Sequence, residues 1–290
     1  MKIVPYSNEY KDGVVACLKR NISWMRKCTS SQIYHWLLPI IDYPWIDEID
    51  SEKYPYKAGL VLLDENARIR GFSAAIHSKQ KIDGYDRIVV NPSTTVIDKE
   101  CNFYYFGMSK AMFKHADVVF DLSPNEPARR ISKDMLKCII IDNPVYLFRP
   151  NYVWHNTFSV DEHITNEKVR RIVIDHKNTE LKYARISNHT EETYVFYKII
   201  RRIKSLPIKV LCVLDISNPE MFRNNFHECA SVLSRKKHCL IMLDSRYADQ
   251  YQLPKLHITK QKYRALFNPS GNTYYTFLYS ESVLLQNEMI

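Results

Sequence analysis

Glycine is scarce in this sequence, with only six residues among 290. A dominant glycine-rich phosphate cradle is therefore excluded, because such loops need residues without a side chain where the backbone approaches a ligand. Long apolar runs are also lacking, since no stretch reaches the roughly 18 apolar residues that suggest a membrane span. The first residues, Met-Lys-Ile-Val-Pro-Tyr, lack the apolar core of a signal peptide. We therefore expect a soluble, cytoplasmic protein with no membrane span.

Patterned cysteine and histidine are absent as well. The seven cysteines include no Cys-x-x-Cys pair, and an odd, scattered set argues against a disulfide framework and against a structural zinc site. The ten histidines show neither His-x-x-x-His nor His-Glu-x-x-His spacing. The sequence therefore predicts no metal site.

The charge is positive and unevenly distributed. The formal net charge is +9, with 21 basic and 18 acidic residues in 1–150 but 20 and 14 in 151–290. This excess is compatible with a solvated surface that aids solubility. It is also compatible with a site for an anionic partner such as a nucleotide, a phosphorylated cofactor or an acidic sugar. Nucleic acid is the weaker option, because the sequence has no long basic tract and no binding signature.

The first half of the chain alternates between helical and extended patterns. Ser7 precedes apolar residues at helical spacing, and Thr29 and Gln32 form a capping-box pattern that opens a second helix. Further helices are predicted near 105–115 and at 125–136. The predicted strands, among them a hairpin, are 1–6, 59–63, 68–77, 87–90, 93–98, 118–122, 138–141 and 146–148.

The second half starts a similar alternation. Helices are predicted at 191–204 and after a second capping-box pattern that begins at Ser217. The predicted strands are 171–174, 182–186, 209–216, 239–243 and one or two within 274–285. This order predicts an α/β fold in which helices cover a partly parallel sheet. We assign two domains, 1–150 and 151–290.

The element order of 1–150 resembles the GNAT acyltransferase superfamily. The hairpin 59–72, which ends in Gly71-Phe72, looks like the second and third strands of that family. The sequence Ser-Thr-Thr-Val-Ile-Asp at 93–98 looks like its fourth strand, whose backbone pairs with the pantetheine arm of coenzyme A. The segment Asn125-Glu-Pro-Ala128 looks like its Asn-x-x-Ala segment. The resemblance implies a mixed-sheet GNAT-like fold, with 151–290 as a second, degenerate GNAT-like module.

The same resemblance implies that coenzyme A or acyl-CoA is a co-substrate. In GNAT enzymes a glycine-rich loop after the fourth strand binds the pyrophosphate, whereas residues 99–107 here contain one glycine and several aromatics. Ser132 stands where the family usually has a tyrosine that protonates the leaving thiolate. The residues expected to contact the cofactor are Val96 and Ile97 on the fourth strand, Asn102, Phe103 and Gly107 after it, and Asn125.

Three residues are candidates for proton transfer. His77 ends the predicted third strand and could act as a base near its ordinary pKa, although a lone histidine at a strand end is more often a surface residue. Glu281 lies in the predicted closing strand, where burial would raise its pKa. Tyr279 could donate a proton or simply pack. The stretch Tyr279-Ser280-Glu281 also resembles a GNAT-related group associated with bacterial polysaccharide clusters.

Other residue groups carry weaker signals. Cys101 in the altered loop is a candidate nucleophile without an identifiable partner. Arg129 and Arg130 could pair with an adenosine phosphate, and the basic residues within 198–204 and 235–237 could contact an acidic glycan or a nucleotide-sugar. Solvated helix faces account at least equally well for the two arginines and better for the basic residues of the second half.

The sequence supports three hypotheses about function. The first is an acyltransferase that moves an acyl group from acyl-CoA to an amine or hydroxyl of a small or sugar-linked acceptor. The second is a relative that uses an aminoacyl-tRNA or an acyl carrier protein as donor, motivated by the lost loop and the positive charge. The third is a non-catalytic GNAT-like binding module, motivated by Ser132. The first depends on two neighbouring strands separating beside Val96, and the oligomeric state is left open.

Overall fold

The computed structural model describes residues 1–114, 116–155, 157–200, 208–268 and 276–284. These residues form two compact units, each built on a mixed sheet of seven strands. Unit 1 holds the described residues up to Ile141 together with 264–268 and 279–284, and unit 2 holds the others. Residues 264–268 and 279–284, from the later part of the described chain, therefore belong to unit 1 together with its first 141 residues.

Helices and strands alternate along the whole chain. The helices are α1 (Lys11–Asn21), α2 (Ser30–Ile41), α3 (Tyr104–Phe113), α4 (Glu126–Asp134), α5 (Glu167–Asp175), α6 (Pro219–Asn224), α7 (Phe226–Lys237) and α8 (Glu281–Leu284). The strands are β1 (Lys2–Pro5), β2 (Leu60–Leu63), β3 (Ile69–Ile82), β4 (Tyr85–Ile97), β5 (Val118–Asp121), β6 (Ile139–Asp142), β7 (Val145–Phe148), β8 (Ser159–Asp161), β9 (Lys182–Ser187), β10 (Glu192–Ile200), β11 (Val210–Ile216), β12 (Leu240–Asp244), β13 (His257–Lys260) and β14 (Tyr263–Phe267).

The two sheets share one pairing pattern. In unit 1 the strand order is β1-β2-β3-β4-β5-β14-β6, with β1 to β4 antiparallel and β4 parallel to β5. In unit 2 the order is β8-β9-β10-β11-β12-β7-β13, with β8 to β11 antiparallel and β11 parallel to β12. Each sheet thus joins four antiparallel strands to a fifth strand that runs parallel to its neighbour.

The strands β7 and β14 are exchanged between the two sheets, relative to their order in the chain. β7 follows β6 in the chain but pairs with β12 in the second sheet, whereas β14 follows β13 and pairs with β5 in the first. A strand that simply continued the chain would have stayed in its own sheet. The exchange explains why 264–268 belong to unit 1.

The sheet of unit 1 is covered by helices on both faces. Val14 and Leu18 of α1 and Leu37 of α2 pack with Phe72 on one face. Met108 and Met112 of α3 pack with another apolar cluster, which includes Leu60, Leu62 and Val90. Burial on both faces accounts for the nearly continuous apolar sequence of β2.

Local capping signals place some of the helix starts. At α2 the amide of Gln32 donates to Thr29 Oγ1 (3.2 Å) while the amide of Thr29 donates to Gln32 Oε1 (2.8 Å), so the predicted capping box is confirmed. At α6 the capping side chain is Asn218, which accepts from the amide of Met221 (3.1 Å), rather than Ser217. Ser217 instead accepts from the amide of Tyr194 (2.8 Å), so the second predicted capping box is wrong by one residue.

Three predicted elements of the second half are wrong. Residues 171–174 lie in helix α5, because Asn166 caps it and Val169 and Ile172 share its buried face. The predicted helix 191–204 is strand β10 as far as Ile200, paired on both sides, and residues 201–204 lie outside the described part. Its run of aromatic and β-branched residues favours a strand. In the predicted closing strands 274–285, the described residues form a turn and α8.

Candidate functional site

The parallel strands β4 and β5 pair only over a short length. Val89 pairs with Val118 and Val90 with Val119, and the two strands then separate. β4 continues for seven more residues to Ile97, and no other strand of the described chain pairs with its free edge. The side chain of Asn91 donates to the carbonyl of Phe120 (2.5 Å) at the point of separation. The separation beside Val96 that the acyltransferase hypothesis requires is therefore present.

Two amides of β4 face this gap. In an antiparallel ladder, successive residues direct their peptide groups alternately to the two sides of the strand. The amide of Asp98 donates to the carbonyl of Arg70 (2.7 Å), towards β3. Alternation therefore directs the amides of Thr95 and Ile97 towards the gap and that of Val96 towards β3. Of Val96 and Ile97, the two β4 residues expected to contact the cofactor, Ile97 has an amide that faces the gap, and Thr95 is an additional residue that the sequence analysis did not single out.

A bulge lies in the same stretch of β4. Ser73 of β3 pairs with Thr95 and Ala74 pairs with Ser93, so Thr94 is left as the extra residue. Its φ of 28° lies in the left-handed region, which a β-branched residue rarely adopts. The hydroxyls of Ser73 and Thr95 hydrogen-bond to each other (2.7 Å) beside it. Bulges often re-aim strand residues next to functional sites.

An ion cluster follows directly on β4. The buried carboxylate of Asp98 accepts hydrogen bonds from Arg20 (3.0 Å) and Asn21 (2.8 Å) and lies 3.3 Å from Arg70. Arg70 also pairs with Glu100. Burial of Asp98 opposes its charged form, but the hydrogen bonds and the positive charges of the two arginines hold its pKa below the usual value. The arginines therefore already have protein partners at the place where a pyrophosphate would need donors.

The segment after this cluster differs from a glycine loop. Asn102 and Phe103 are exposed, the latter by 74%, and Phe103 precedes α3 without capping it by its side chain. Gly107 lies inside α3, where an added Cβ would make an ordinary van der Waals contact with Ile3 Cδ1 at 3.4 Å, so the residue belongs to the helix and not to a loop turn. Cys101 is buried.

The residues around α4 are engaged in local structure. The side chain of Asn125 caps α4 by accepting from the amide of Ala128 (2.9 Å). Arg129 and Arg130 both pair with Glu126 on the same helix. Ser132, at the position of the family's tyrosine, is buried.

His77 lies deeper than the sequence indicated. β3 continues to Ile82, so His77 lies within the strand and is only 2% exposed. Burial lowers its pKa to about 4, assisted by the nearby charge of Lys57. The expectation of a base with an ordinary pKa is therefore wrong, and the imidazole is neutral at pH 7.

An aromatic side chain links His77 to the C-terminal segment. The indole nitrogen of Trp45 donates to the carbonyl of His77 (2.9 Å). The ring of Trp45 also meets that of Tyr279 edge to face, with centroids 5.1 Å apart. Tyr279 is partly buried against the core of unit 1, and Glu281 is the first residue of α8 instead of part of a strand. The structure thus brings the backbone of His77 and the ring of Tyr279 into contact with one tryptophan.

In unit 2 the corresponding strands, β11 and β12, also separate, but side-chain hydrogen bonds to β11 follow the separation. β11 and β12 pair as far as Cys212 and Met242. Beyond that point the buried carboxylate of Asp215 accepts from Tyr247 Oη (2.7 Å) and from Thr276 Oγ1 (2.7 Å). Residues 213–216 are all buried, whereas four of the six β4 residues beyond Asn91 are partly exposed. The open gap therefore lies in unit 1.

The predicted basic cluster of unit 2 is divided by the fold. Burial lowers the pKa of Lys198, whose Nζ lies 3.8 Å from Glu180. Lys237 pairs with Glu162 (2.9 Å), and Arg235 donates to the hydroxyl of Tyr152 (3.2 Å). The other basic residues of 198–204 lie outside the described part of the chain.

Two kinds of feature are absent from the described residues, a cluster of metal ligands and a membrane-spanning helix. Their His, Cys, Asp and Glu side chains form no group of three or more that could hold a metal ion. None of the helices in those ranges combines the length and the apolar character that a membrane crossing requires.

Comparison with known proteins places the fold. No model of a known protein family matches the sequence, and no curated protein matches it. Among solved structures, a GCN5-related N-acetyltransferase from Anabaena variabilis ATCC 29413 superposes with a TM-score of 0.54 at 12% identity, covering 91% of this chain and 72% of its own. One from Kribbella flavida gives 0.53 at 9% identity, with coverage of 91% and 70%.

A third structure matches over nearly the full length of both chains. It is a protein from Pyrococcus horikoshii to which an acetyltransferase activity is ascribed, with a TM-score of 0.50, 10% identity and coverage of 98% and 94%. At these sequence identities, the structural similarity establishes the fold of the chain. The chain has a mixed α/β architecture of two seven-stranded sheets that matches the GCN5-related N-acetyltransferase fold.

Proposed function

We propose that this chain is an acyltransferase that binds an acyl-CoA in the gap between β4 and β5 of unit 1. The observation that carries the proposal is the early end of strand pairing at Val90, which leaves seven residues of β4 with a free edge. A pantetheine arm could pair with that edge as an additional strand would, because its amides match the spacing of peptide groups. The amide of Ile97 or Thr95 would then polarise the thioester carbonyl.

The acyl group would pass to an amine or hydroxyl of a small or sugar-linked acceptor. We assign Tyr279 as the proton donor to the departing thiolate and Glu281 as the base that deprotonates the acceptor. A general base works best with a pKa near the operating pH, so His77, with a pKa of about 4, is better suited to holding Trp45 than to proton transfer. The sugar-linked acceptor rests on the resemblance of 279–281 to the polysaccharide-associated group.

We further propose that the two units are related GNAT modules. Their common strand order and their matching parallel pairs support this. In unit 2 the bridge of Asp215 with Tyr247 and Thr276 would make the second module structural. Asn102, Phe103 and Asn125 are the remaining proposed contacts with the cofactor, whereas Gly107 would act through the position of α3.

Hydrogen exchange tests the location of the donor. Acetyl-CoA at millimolar concentration should reduce deuterium uptake in a peptide that covers 91–98 and leave a peptide that covers 210–216 unchanged. Equal uptake with and without acetyl-CoA, together with no heat in titration calorimetry, would rule out acyl-CoA as the donor.

A pair of variants at Ile97 tests the amide. Proline has no N–H, so Ile97→Pro removes the group that faces the gap. Ile97→Val keeps that amide and serves as the control. We expect the proline variant to lose at least tenfold in acetyl-CoA affinity, or about 1.4 kcal/mol, and the valine variant to bind as wild type. Circular dichroism checks that both are folded, and the exchange experiment on the unaltered chain stands if the proline variant is not.

The segment after β4 favours a second donor, an acyl carrier protein. Arg20 and Arg70 are paired with Asp98, and no glycine turn is available for a pyrophosphate. A carrier protein presents the same pantetheine arm without the nucleotide. Protection of 91–98 by an acylated carrier protein, but not by acetyl-CoA, would identify this donor. Protection by neither, with a negative gel shift for aminoacyl-tRNA and no acyl product, would favour a binding module.

A further inference from the structure

Unit 2 contains a cavity that is distinct from the separation of its strands. Its volume is about 590 Å³, within the roughly 300–1,000 Å³ range of small-molecule sites. It lies at the amino ends of β11 and β12, where Leu240 donates its amide to the carbonyl of Lys209 (3.0 Å) and the two strands still pair. The bridge of Asp215 lies further along the same strands. We call this cavity the basic pocket.

The lining of the basic pocket is positively charged. Arg149 follows β7, Lys209 precedes β11, and Arg235 and His238 come from the end of α7 and the turn after it. Among the described residues, the lining contains no Asp or Glu. Within the same ranges, Arg149, Lys209 and Arg235 form no ion pair with a carboxylate, whereas Lys237, two residues after Arg235 on α7, pairs with Glu162. In the described part of the chain, three basic side chains from separate segments therefore line one cavity without a carboxylate to balance their charge.

The walls of the basic pocket are fixed by hydrogen bonds. Ser231 Oγ accepts from the amide of Val153 (3.2 Å), which ties the segment after β7 to α7. Ser234 Oγ donates to the carbonyl of Cys239 (2.6 Å), which ties the end of α7 to the turn before β12. The guanidinium of Arg235 lies over the ring of Tyr152, 5.5 Å from its centroid, and donates to the hydroxyl. A cavity with such walls needs little rearrangement to receive a ligand.

Exposed aromatic rings lie next to these charges. Tyr152 belongs to the lining, and its ring meets that of Trp154 edge to face at 4.8 Å. Trp154 is 82% exposed, so its face is open to solvent. A nucleobase can stack on such a ring.

We propose that the basic pocket binds a nucleoside diphosphate, free or as part of a larger molecule such as a nucleotide-sugar. The arginine and lysine side chains receive the two phosphates, since guanidinium groups match phosphate oxygens in geometry and charge. Trp154 stacks on the base. This site does not depend on the proposed acyl transfer, because it lies in unit 2 and its occupancy is read without an acyl donor.

Titration calorimetry with UDP, ADP, UDP-N-acetylglucosamine and pyrophosphate tests the proposal on the full chain. We expect saturable binding of a nucleoside diphosphate, with Arg235→Gln weakening it at least tenfold, or about 1.4 kcal/mol. Lys236→Gln is the matched control, since it removes the same charge from an exposed neighbour on α7 that does not line the cavity. Trp154→Ala should weaken the nucleotides but leave pyrophosphate unchanged.

Four results would overturn the proposal. The first is no saturable heat with any nucleotide up to roughly 5 mM, and the second is a loss of nucleotide affinity in Lys236→Gln equal to that in Arg235→Gln. The third is pyrophosphate binding as tight as nucleotide binding, and the fourth is a short single-stranded RNA that binds more tightly than the nucleotides. Tighter binding of UDP-N-acetylglucosamine than UDP identifies the bound form as the nucleotide-sugar, and equal binding identifies the free diphosphate. Because coenzyme A also carries a nucleoside diphosphate, hydrogen exchange separates the two sites. UDP should reduce deuterium uptake in a peptide that covers 149–155 of unit 2 and leave 91–98 of unit 1 unchanged, and the reverse pattern would contradict the proposal.

Discussion

The side chain of Asn91 and the backbone of Phe120 are joined by a 2.5 Å hydrogen bond at the position where β4 and β5 stop pairing. Asn91 is 2% exposed and follows the last residue of β4 that pairs with β5, while Phe120 follows the last residue of β5 that pairs with β4. A side-chain hydrogen bond therefore joins β4 to β5 directly after their last backbone pair. The bond sets where the gap begins without closing it.

Replacement of Asn91 by alanine should destabilise unit 1. The change leaves a buried carbonyl oxygen without that donor, which costs about 1–3 kcal/mol. Urea unfolding measures the loss, and Asn66→Ala, at an exposed turn position, is the control with an expected change within about 0.5 kcal/mol. Equal effects in the two variants would show that the bond does not stabilise the separation.

Histidine burial should make stability depend on pH. The pKa of His77 is lowered to about 4 by burial, so between that value and its ordinary 6.5 the unfolded chain binds more protons than the folded one. Stability therefore falls as the pH decreases through this window, by at most about 1.4 kcal/mol per pH unit for one group. His176 in unit 2 has a pKa lowered in the same direction by burial and adds to the effect there.

Urea unfolding at pH 7 and pH 5 tests this prediction. The wild type should lose stability between the two values, and His77→Gln should lose less, because its side chain has no proton to gain. His35→Gln, at an exposed position, is the control and should keep the wild-type dependence. An unchanged pH dependence in His77→Gln would contradict the burial argument.

The carboxylate of Asp98 should stabilise the folded state more at neutral pH than at acidic pH. Its pKa is held below the ordinary 3.8, because the hydrogen bonds from Arg20 and Asn21 outweigh the opposing effect of burial. A depressed pKa means that the stabilisation is present above about pH 4 and disappears as the pH falls through the folded value. We expect Asp98→Asn to cost about 1–3 kcal/mol at pH 7 and less at pH 3.

The control for Asp98 is another carboxylate of unit 1. Asp86 is exposed and lies 3.5 Å from Lys79, a surface pair of the kind that contributes little. Asp86→Asn should therefore leave the urea midpoint nearly unchanged at both pH values. If Asp98→Asn behaved in the same way, the ion cluster after β4 would have no role in holding that segment.

Local signals in the sequence predicted the parts of this fold that local physics determines. The capping box of α2 was predictable because Thr29 and Gln32 are three residues apart and satisfy each other. The strand β10 was not, because its apolar residues also fit a helical face and only pairing with β9 and β11 decides between the two. The return of β14 to unit 1 has no local signal at all.

The candidate site shows the same limit. The gap beside Val96 was predicted from the resemblance of 93–98 to a known strand. The cluster around Asp98 was not predicted, because Arg20 and Arg70 are 78 and 28 residues away and only the fold brings them together. The depth of His77 was missed because β3 extends five residues beyond it into a segment with few apolar residues.

The bridge in unit 2 should be cooperative. Tyr247 and Thr276 each donate to one oxygen of Asp215, so a buried carboxylate has both oxygens satisfied. Removal of either hydroxyl leaves one charged oxygen with fewer donors, at a cost of about 1–3 kcal/mol. Tyr247→Phe and Thr276→Val should therefore each lower stability. Their effects should not add, because the two donors share one acceptor group.

A double-mutant cycle measured by urea unfolding tests this coupling. Tyr251→Phe is the control, since its ring is 88% exposed and its loss should change stability by less than about 0.5 kcal/mol. The same variants also test why unit 2 is proposed to be structural. Full stability in Tyr247→Phe and Thr276→Val, or strictly additive losses, would show that the two hydroxyls do not bridge the separated strands. In that case the strands β11 and β12 would also leave an open gap in unit 2.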